Sequence, residues 1–541
     1  MVALVLAPIL IGVLTYWLPF KAGRVLTLVT QFAMGALVVY YLNQVLTYGV
    51  VYDALGGADR NLYVSLRGTP TGLTLIALMV VLFTAALIYV VGEPYTSKML
   101  LLLLSILQGL VAGLFLTDDI FNLFVLFEVA SVVTIVLVVF RRDRRNVYDG
   151  LFYLMIQIVA MLFFLFGTAY LYRSFGVLNL SAISEMIAAG ADPRALVLPF
   201  AFLLTGLALK AGLFPLFSYV PRSYGNPGAP TAVMMLMSGA LVTAALFWIA
   251  RLIEVFTPAL NLAVPLLVLG VLTGVAGAVK ALAEQDIRLI LAYSTVSQAG
   301  LILTGFAAGG AAGTTGFDGG MLHLVNHAVL KSVLFLAAGM VVRSYGTANL
   351  AEIRGTFRRL PWSSGAAAFA MLALIGTPLT GAAASKDLIG AGISGWAVVA
   401  FWVLNGCTAL IFIKYSAMLF GRPVGPLSPP RPLIDPVQRA VVVALAVVAL
   451  ALGVLVTPFA DLLLQPDDGG VAAVATLAVT SAKVLTFGLV VLGAFAVRRA
   501  TVPHLHRDSR LLRTSLSFPQ SVLMLALFFA AVVIAGTVVS R

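Results

Sequence analysis

Runs of about twenty apolar residues recur along the whole chain, and no other feature restricts its fold so sharply. A helix of that length crosses the ~30 Å hydrocarbon layer of a bilayer. Inside that layer every backbone N–H and C=O must find a partner within the protein, so such runs fold as α-helices. Sixteen spans are predicted, at about 1–20, 24–48, 70–92, 97–116, 119–140, 148–172, 196–220, 229–254, 260–281, 285–307, 318–342, 364–390, 394–420, 436–459, 470–497 and 517–539. Composition agrees: 61% of the residues are hydrophobic and 10% charged, with a mean hydropathy of +1.08. The expectation is an all-α polytopic membrane protein, one integral membrane domain over residues 1–541. The first run, Met1 to Phe20, has neither a basic leader nor a small-residue cleavage site and is read as a retained helix.

A net charge of +12 would suit a nucleic-acid partner, but the charges are sorted by loop. With the N-terminus outside, the inside loops hold Lys21 and Arg24, the cluster Arg141-Arg142-Asp143-Arg144-Arg145, Arg222, Arg288, Arg354, Arg358, Arg359, Arg422, Arg431 and the arginines from Arg498 to Arg513. The outside loops hold Asp118, Asp119, Asp318, Asp461, Asp467 and Asp468. This positive-inside bias points to a multi-pass protein of the cell membrane with the lipid bilayer, and no nucleic acid, as its surroundings. It also supports the number of spans, since one missed crossing would invert every later loop. With every long segment helical, no strands are expected, and so no Gly-rich dinucleotide fingerprint. The piece Leu178–Ala189 is mildly amphipathic and suits the outer surface.

Several ionisable residues fall inside the apolar runs: Glu128, Lys210, Lys280, Lys331 and Lys386. A charge at the bilayer centre costs roughly 2.5–3.5 kcal/mol on insertion scales, so such residues are functional candidates by default. Only 8 of the 33 basic residues are lysines. Arginine stays protonated, whereas a desolvated lysine releases its proton readily. The buried positions thus hold the residue type that can titrate. In His323-Leu-Val-Asn-His327-Ala-Val-Leu-Lys331, positions i, i+4 and i+8 share one helical face, a stripe of about 12 Å. Histidine passes protons through its two ring nitrogens. Two His at this spacing could also ligate a metal, but no glutamate lies between them and no third ligand is spaced to help, so no metal is expected. The single cysteine, Cys407, is read as apolar filler, and no site for a redox cofactor is visible.

Two spans carry helix breakers beside a lysine: Leu207-Ala-Leu-Lys210-Ala-Gly-Leu-Phe-Pro215, and Gly376-Thr-Pro378-Leu-Thr-Gly381-Ala-Ala-Ala-Ser-Lys386-Asp387. They run in opposite directions through the membrane, as an inverted repeat would leave them, and interrupted spans at matching positions mark a transport site. Asp286 is placed to cap span ten. Lys280 and Lys414 lie nearer the inside ends of spans nine and thirteen, within snorkelling reach of the surface.

Taken together, Asp-Ile-Phe-Asn-Leu-Phe-Val-Leu-Phe-Glu128, Leu-Lys210-Ala-Gly-Leu-Phe-Pro215, Asp286-Ile-Arg-Leu-Ile-Leu-Ala-Tyr-Ser-Thr-Val-Ser-Gln298, His323-x3-His327-x3-Lys331 and Pro378-Leu-Thr-Gly381-x4-Lys386-Asp387 make the chain resemble a known family. It is similar to the antiporter-like subunits shared by respiratory complex I, membrane-bound hydrogenases and Mrp-type sodium/proton antiporters, over about residues 70–420. The wording around Glu128 looks most like the MrpD-type component of Mrp antiporters and its hydrogenase counterpart. The resemblance implies a fourteen-helix core with two inverted five-helix repeats, at about 97–254 and 260–420, after N-terminal helices within 1–116. Helices seven and twelve would be broken, and about two extra helices would follow within 436–541. It implies Glu128 and Lys210 as a coupled pair, Lys331 with His323 and His327 as a central relay, and Lys386 as the terminal site, with Lys280, Thr243, Lys414 and Asp387 as secondary candidates. Departures exist. Where many members carry a lysine in span eight, Ser238-Gly-Ala-Leu-Val-Thr243 has threonine, and Phe217 and Arg222 replace a His and an Asp after span seven.

The expected function is that of a proton-translocating subunit of an Mrp-type Na+/proton antiporter, a transporter with other membrane subunits as partners and protons and Na+ as cargo. The alternative is a pumping subunit of a complex I-like or hydrogenase-like redox assembly, in which a partner supplies the energy. A third reading is a scaffold whose polar axis is vestigial.

Overall fold

The computed structural model describes residues 1–54, 64–141, 144–226, 228–423, 435–464, 481–507 and 516–539. Of the loop charges named in the sequence, Arg142, Asp143, Arg431, Asp467, Asp468, Arg510 and Arg513 lie outside the described residues. The helices in chain order are α1 (Val2–Trp17), α2 (Phe20–Tyr48), α3 (Pro70–Val91), α4 (Lys98–Leu116), α5 (Ile120–Val138), α6 (Arg144–Phe175), α7 (Leu180–Ala188), α8 (Pro193–Ala211) and the short α9 (Val220–Ser223). There follow α10 (Thr231–Leu236), α11 (Val242–Phe256), α12 (Ala263–Ala283), α13 (Ile287–Gly309), α14 (Thr315–Tyr345) and the short α15 (Thr356–Arg359). Then come α16 (Pro361–Ile375), α17 (Gly381–Ala391), α18 (Trp396–Tyr415), α19 (Pro436–Val454), α20 (Val456–Leu464) and two appended helices, Ser481–Arg507 and Phe518–Val539.

Among the described residues, 13 helices are long and apolar enough to cross a membrane, and three shorter apolar ones, Val2–Trp17, Pro361–Ile375 and Lys483–Val497, fill the remaining positions of the sixteen predicted spans. The caps follow from sequence. Asp119, Asn179, Asp192, Asp286, Thr380 and Asp435 each accept a first-turn N–H with a side-chain oxygen. The periphery is apolar and open to the surroundings, with Trp17 and Phe32 among the most exposed side chains, as lipid-facing helices require. One expectation fails. A two-stranded antiparallel hairpin, β1 (Val51–Ala54) with β2 (Ser65–Gly68), stands in the connection before α3. Four-residue strands are too short to register as periodicity, and they pair because this connection is not a membrane span. Leu178–Ala189 matches α7, which buries Leu180, Ile183 and Ile187 on one face.

The two halves carry the same device on opposite faces. At the start of α5, Asp119 bridges Asn179, with Ile120 N–H donating to Leu178 O (3.0 Å) and Leu180 N–H to Asp118 O (2.7 Å). At the start of α13, Asp286 bridges Asn349, with Ile287 N–H donating to Ala348 O (2.9 Å) and Leu350 N–H to Gln285 O (2.8 Å). The asparagine in each case follows a glycine with positive φ, Gly176 or Gly346. Between the two bridges the chain runs through α5, α6, broken span seven, α10–α11 and α12. That is an odd number of crossings, so the duplicated junctions face opposite sides. This is the geometric signature of inverted repeats.

The core is built around α14, 31 residues and about 46 Å long. It packs on α13, α16, α17, α19 and α10. Helices α12 and α13 approach closely at Gly274 and Gly300, where a Cβ on Gly300 would collide with the backbone nitrogen of Gly274. Small residues are what allow such backbone contact in a membrane.

Candidate functional site

Both broken spans break beside their lysine. Helix α8 ends at Gly212, in the left-handed conformation, with Leu213 N–H donating back to Ala208 O at 2.8 Å. Lys210, one residue before the last of α8, donates from Nζ to Ser131 Oγ on α5 and lies 5.7 Å from the Phe127 ring centre. Ser131 stands three residues beyond Glu128, on the same face of α5. Among the described residues no ion pair joins Glu128 to Lys210, and Glu128 Oε1 is buried there with no hydrogen-bond partner.

The predicted stripe lies in the interior of α14. Lys331 is fully buried. Its Nζ donates to Leu291 O (3.0 Å) and to Ser294 Oγ, both on α13, and sits 5.6 Å from the Phe412 ring centre. One turn back, His327 is buried with neither ring nitrogen partnered among the described residues. One turn further, His323 is held on both sides, by Nδ1 to Ser385 Oγ (2.8 Å) and by Nε2 to Gln298 Oε1 (2.9 Å). Gln298 in turn donates to Thr408 Oγ1 (2.8 Å).

Ser385 precedes Lys386 on α17, so the hydroxyl that bonds His323 belongs to the immediate neighbour of Lys386. Lys386 Nζ donates to Leu374 O (2.7 Å) and Ile375 O (3.2 Å), the last carbonyls of α16, which the break at Gly376 leaves without helical partners. It lines a cavity of about 230 Å³ that also includes Asp387 and Asn405. Asp387 pairs with Lys483 at 2.8 Å.

The halves meet at span eight. A π-helical turn, Met237–Leu241, interrupts it, and within the turn Ser238 Oγ bonds Thr295 Oγ1 at 2.8 Å, next to the Ser294 that holds Lys331. Such turns recur at functional sites. Thr243 donates to Gly239 O in its own helix (2.8 Å). Lys280 is half-buried in the last turn of α12. Lys414 does not reach the surface: it is buried, and its Nζ caps α12 by donating to Ala281 O (3.2 Å), Leu282 O (2.8 Å) and Glu284 O. A cation there satisfies carbonyls that the end of α12 exposes and complements its dipole. That environment outweighs snorkelling.

Sequence reasoning missed Ser131, Ser294, Ser385 and Thr408, because a serine or threonine in an apolar run usually bonds its own helix. It also missed Lys483, although that lysine meets the same criterion as the others, a cation inside an apolar run. Among the described residues no cluster of three or more His, Cys, Asp or Glu could hold a metal. The half-buried Lys210 and the buried Lys331 and Lys386 bond hydroxyls and carbonyls and form no ion pair among the described residues. A hydroxyl serves an ammonium as acceptor and a neutral amine as donor. A carbonyl accepts from either form. Each lysine can therefore exchange its proton without losing its partners.

Residues 117–412 match the transmembrane family described as NADH:quinone oxidoreductase/Mrp antiporter. The chain is 30% identical over 446 residues to the N component of the NADH-quinone oxidoreductase of Desulforudis audaxviator, covering 77% of this chain and 87% of that protein. It is 31% identical over 275 residues to the D component of the Na(+)/H(+) antiporter of Alkalihalophilus pseudofirmus, covering 50% of this chain and 54% of that protein. In fold it is similar to a chain in the structure of the Mrp complex from Dietzia sp. DQ12-45-1b, with a TM-score of 0.76 at 23% identity, over 88% of this chain and 99% of that one.

Proposed function

Because the chain belongs to the transmembrane family of NADH:quinone oxidoreductases and Mrp antiporters, we propose that it is the proton-translocating subunit of a multisubunit Mrp-type cation/proton antiporter. In this reading Glu128 and Lys210 form the coupled input pair. Lys331, with His327 and His323, relays the proton, and Lys386 is the terminal site. Ser238 and Thr295 link the halves where the family's lysine is replaced by Thr243. Na+ is the exchanged cation, and the subunit sits in the cell membrane with its N-terminus outside and its basic loops inside. The repeats are taken at about 97–254 and 260–420.

The observation that carries the reading is the bonding of the buried lysines. A lysine locked to a carboxylate holds its charge, whereas Lys331, which among the described residues bonds Leu291 O and Ser294 Oγ, is arranged to change it. His323 can likewise take a proton with little rearrangement. When neutral, Nε2–H donates to Gln298 and Nδ1 accepts from the Ser385 hydroxyl. When charged, Nδ1–H donates to Ser385, whose own proton turns to Ala382 O, 2.9 Å away.

The test is Na+-dependent proton flux in everted vesicles carrying the chain with its companion subunits. Lys331→Ala is expected to abolish flux while leaving the complex assembled. Wild-type flux in that variant would refute the relay. The second reading, a pumping subunit of a complex I-like redox assembly, is favoured by the fuller coverage of the NADH-quinone oxidoreductase relative. It predicts proton transport that follows electron transfer and is indifferent to Na+.

A further inference from the structure

The cavity beside Lys386 is walled on one side by a helix beyond the fourteen-helix core. Ile375 ends one wall, Asp387 and Asn405 belong to the next two, and Lys483 and Thr486 come from the appended helix Ser481–Arg507. That helix packs along α18. Asp387 Oδ2 and Lys483 Nζ meet at 2.8 Å with their side chains 40% and 35% exposed, whereas Lys386, one residue away, is 5% exposed and bonded inward to Leu374 O and Ile375 O. A carboxylate and an ammonium brought together in an apolar rim carry a desolvation penalty that hydrophobic residues would avoid, so their presence calls for a use.

We propose that Lys483 is a positioning residue of the Lys386 site: its pair with Asp387 forms the polar mouth through which water and protons reach Lys386, and this makes the appended helix part of the transport machinery. The inference rests on the reading of Lys386 as the terminal proton site. The pair holds two compensating charges at the rim, which keeps the rim hydrated without a net field that would repel a cation. Lys386 gives its proton to water at this mouth, Nζ keeping the electron pair. Asp387 stabilises the hydrated proton, and Lys483 holds Asp387 in place. Among the described residues, the charged groups lining the cavity with Lys386 are Asp387 from its own helix and Lys483 from the appended helix, and His323 of α14 reaches Ser385 beside it.

Variants are made in the full chain with its companion subunits, and cation-dependent proton flux is followed in everted vesicles. Lys483→Gln and Asp387→Asn are each expected to lower flux roughly fivefold, as for loss of a half-exposed pair. Lys483→Arg restores it. The double variant should be no worse than the poorer single one, because the pair acts as a unit. A second readout does not depend on transport. In a Cys407→Ala background, Thr486→Cys is labelled with a membrane-impermeant, negatively charged thiol reagent, and labelling should slow when Lys483→Gln is added, because the rim loses both hydration and its cation. Wild-type flux in Lys483→Gln, multiplicative losses in the double variant, or a labelling rate unmoved by Lys483→Gln would each overturn the proposal. Lys386→Ala separates the two levels. If it keeps flux, the terminal-site reading falls. If it abolishes flux while Lys483 variants transport normally, only the mouth is refuted.

Discussion

Glu128 presents a buried carboxylate oxygen with no hydrogen-bond partner among the described residues, three residues before the Ser131 that accepts a hydrogen bond from Lys210. An unpartnered buried oxygen is worth roughly 1–3 kcal/mol of lost solvation, so the residue is kept for something other than stability. Glu128→Gln is expected to impair proton flux and leave assembly intact, as judged by co-purification of the companion subunits. Normal flux in that variant would remove the carboxylate from the path. Ser385 is the other sharp case, since it bonds His323 Nδ1 and sits beside Lys386. Ser385→Ala leaves the ring nitrogen unsatisfied, and flux should fall roughly tenfold, the effect of about 1.4 kcal/mol. Ser385→Thr keeps the hydroxyl and should recover most of that loss. Equal flux in both variants would show that the hydroxyl plays no part. The lysines and histidines of this network were legible in the sequence because charge inside an apolar run stands out. Their partners were not, since a serine in a helix gives no sign of whether it bonds its own carbonyl or a neighbour's lysine.

At the level of elements, helix ends follow from local chemistry and helix contacts do not. Asp286 caps α13 because its carboxylate oxygen accepts Arg288 N–H at 2.8 Å, a role readable from its place before the apolar run. The contact of α12 with α13 depends on glycines that are far apart in sequence. Gly300→Ala would press a methyl group into the backbone at Gly274 and should destabilise the folded protein by about 1–3 kcal/mol. Thermal unfolding in detergent would read this as a lower midpoint, and an unchanged midpoint would show that the helices part without penalty. The π-helical turn at Met237–Leu241 was not legible either, because local sequence gives no signal for one extra residue in a turn. It turns Ser238 toward Thr295, the contact that bridges the halves.

Across the whole molecule, the inverted junctions at Asp119–Asn179 and Asp286–Asn349 set the two broken spans in opposite orientation, the first packed on α6 and α11 and the second on α14. Under the proposed function such a subunit carries protons while its companion subunits couple that movement to the exchanged cation. The purified chain alone in liposomes is therefore expected to show little Na+-dependent proton flux, measured with an entrapped pH dye. Robust exchange by the isolated chain would overturn the requirement for companion subunits.

The membrane-spanning helical class, the breaks in spans seven and twelve and the presence of lysines within the spans were readable from residue order alone. They follow from hydrophobic length, from glycine and proline, and from the price of putting charge in hydrocarbon. Three-dimensional packing, and nothing local, sets which hydroxyl or carbonyl each lysine meets, that Lys414 caps α12, and that Lys483 lines the cavity beside Lys386. Lys386 reaches a carbonyl 12 residues away and Lys414 one that is 132 residues away. Such partners are brought together by helix packing, whose register depends on many weak contacts at once and leaves no local mark in the order of the residues.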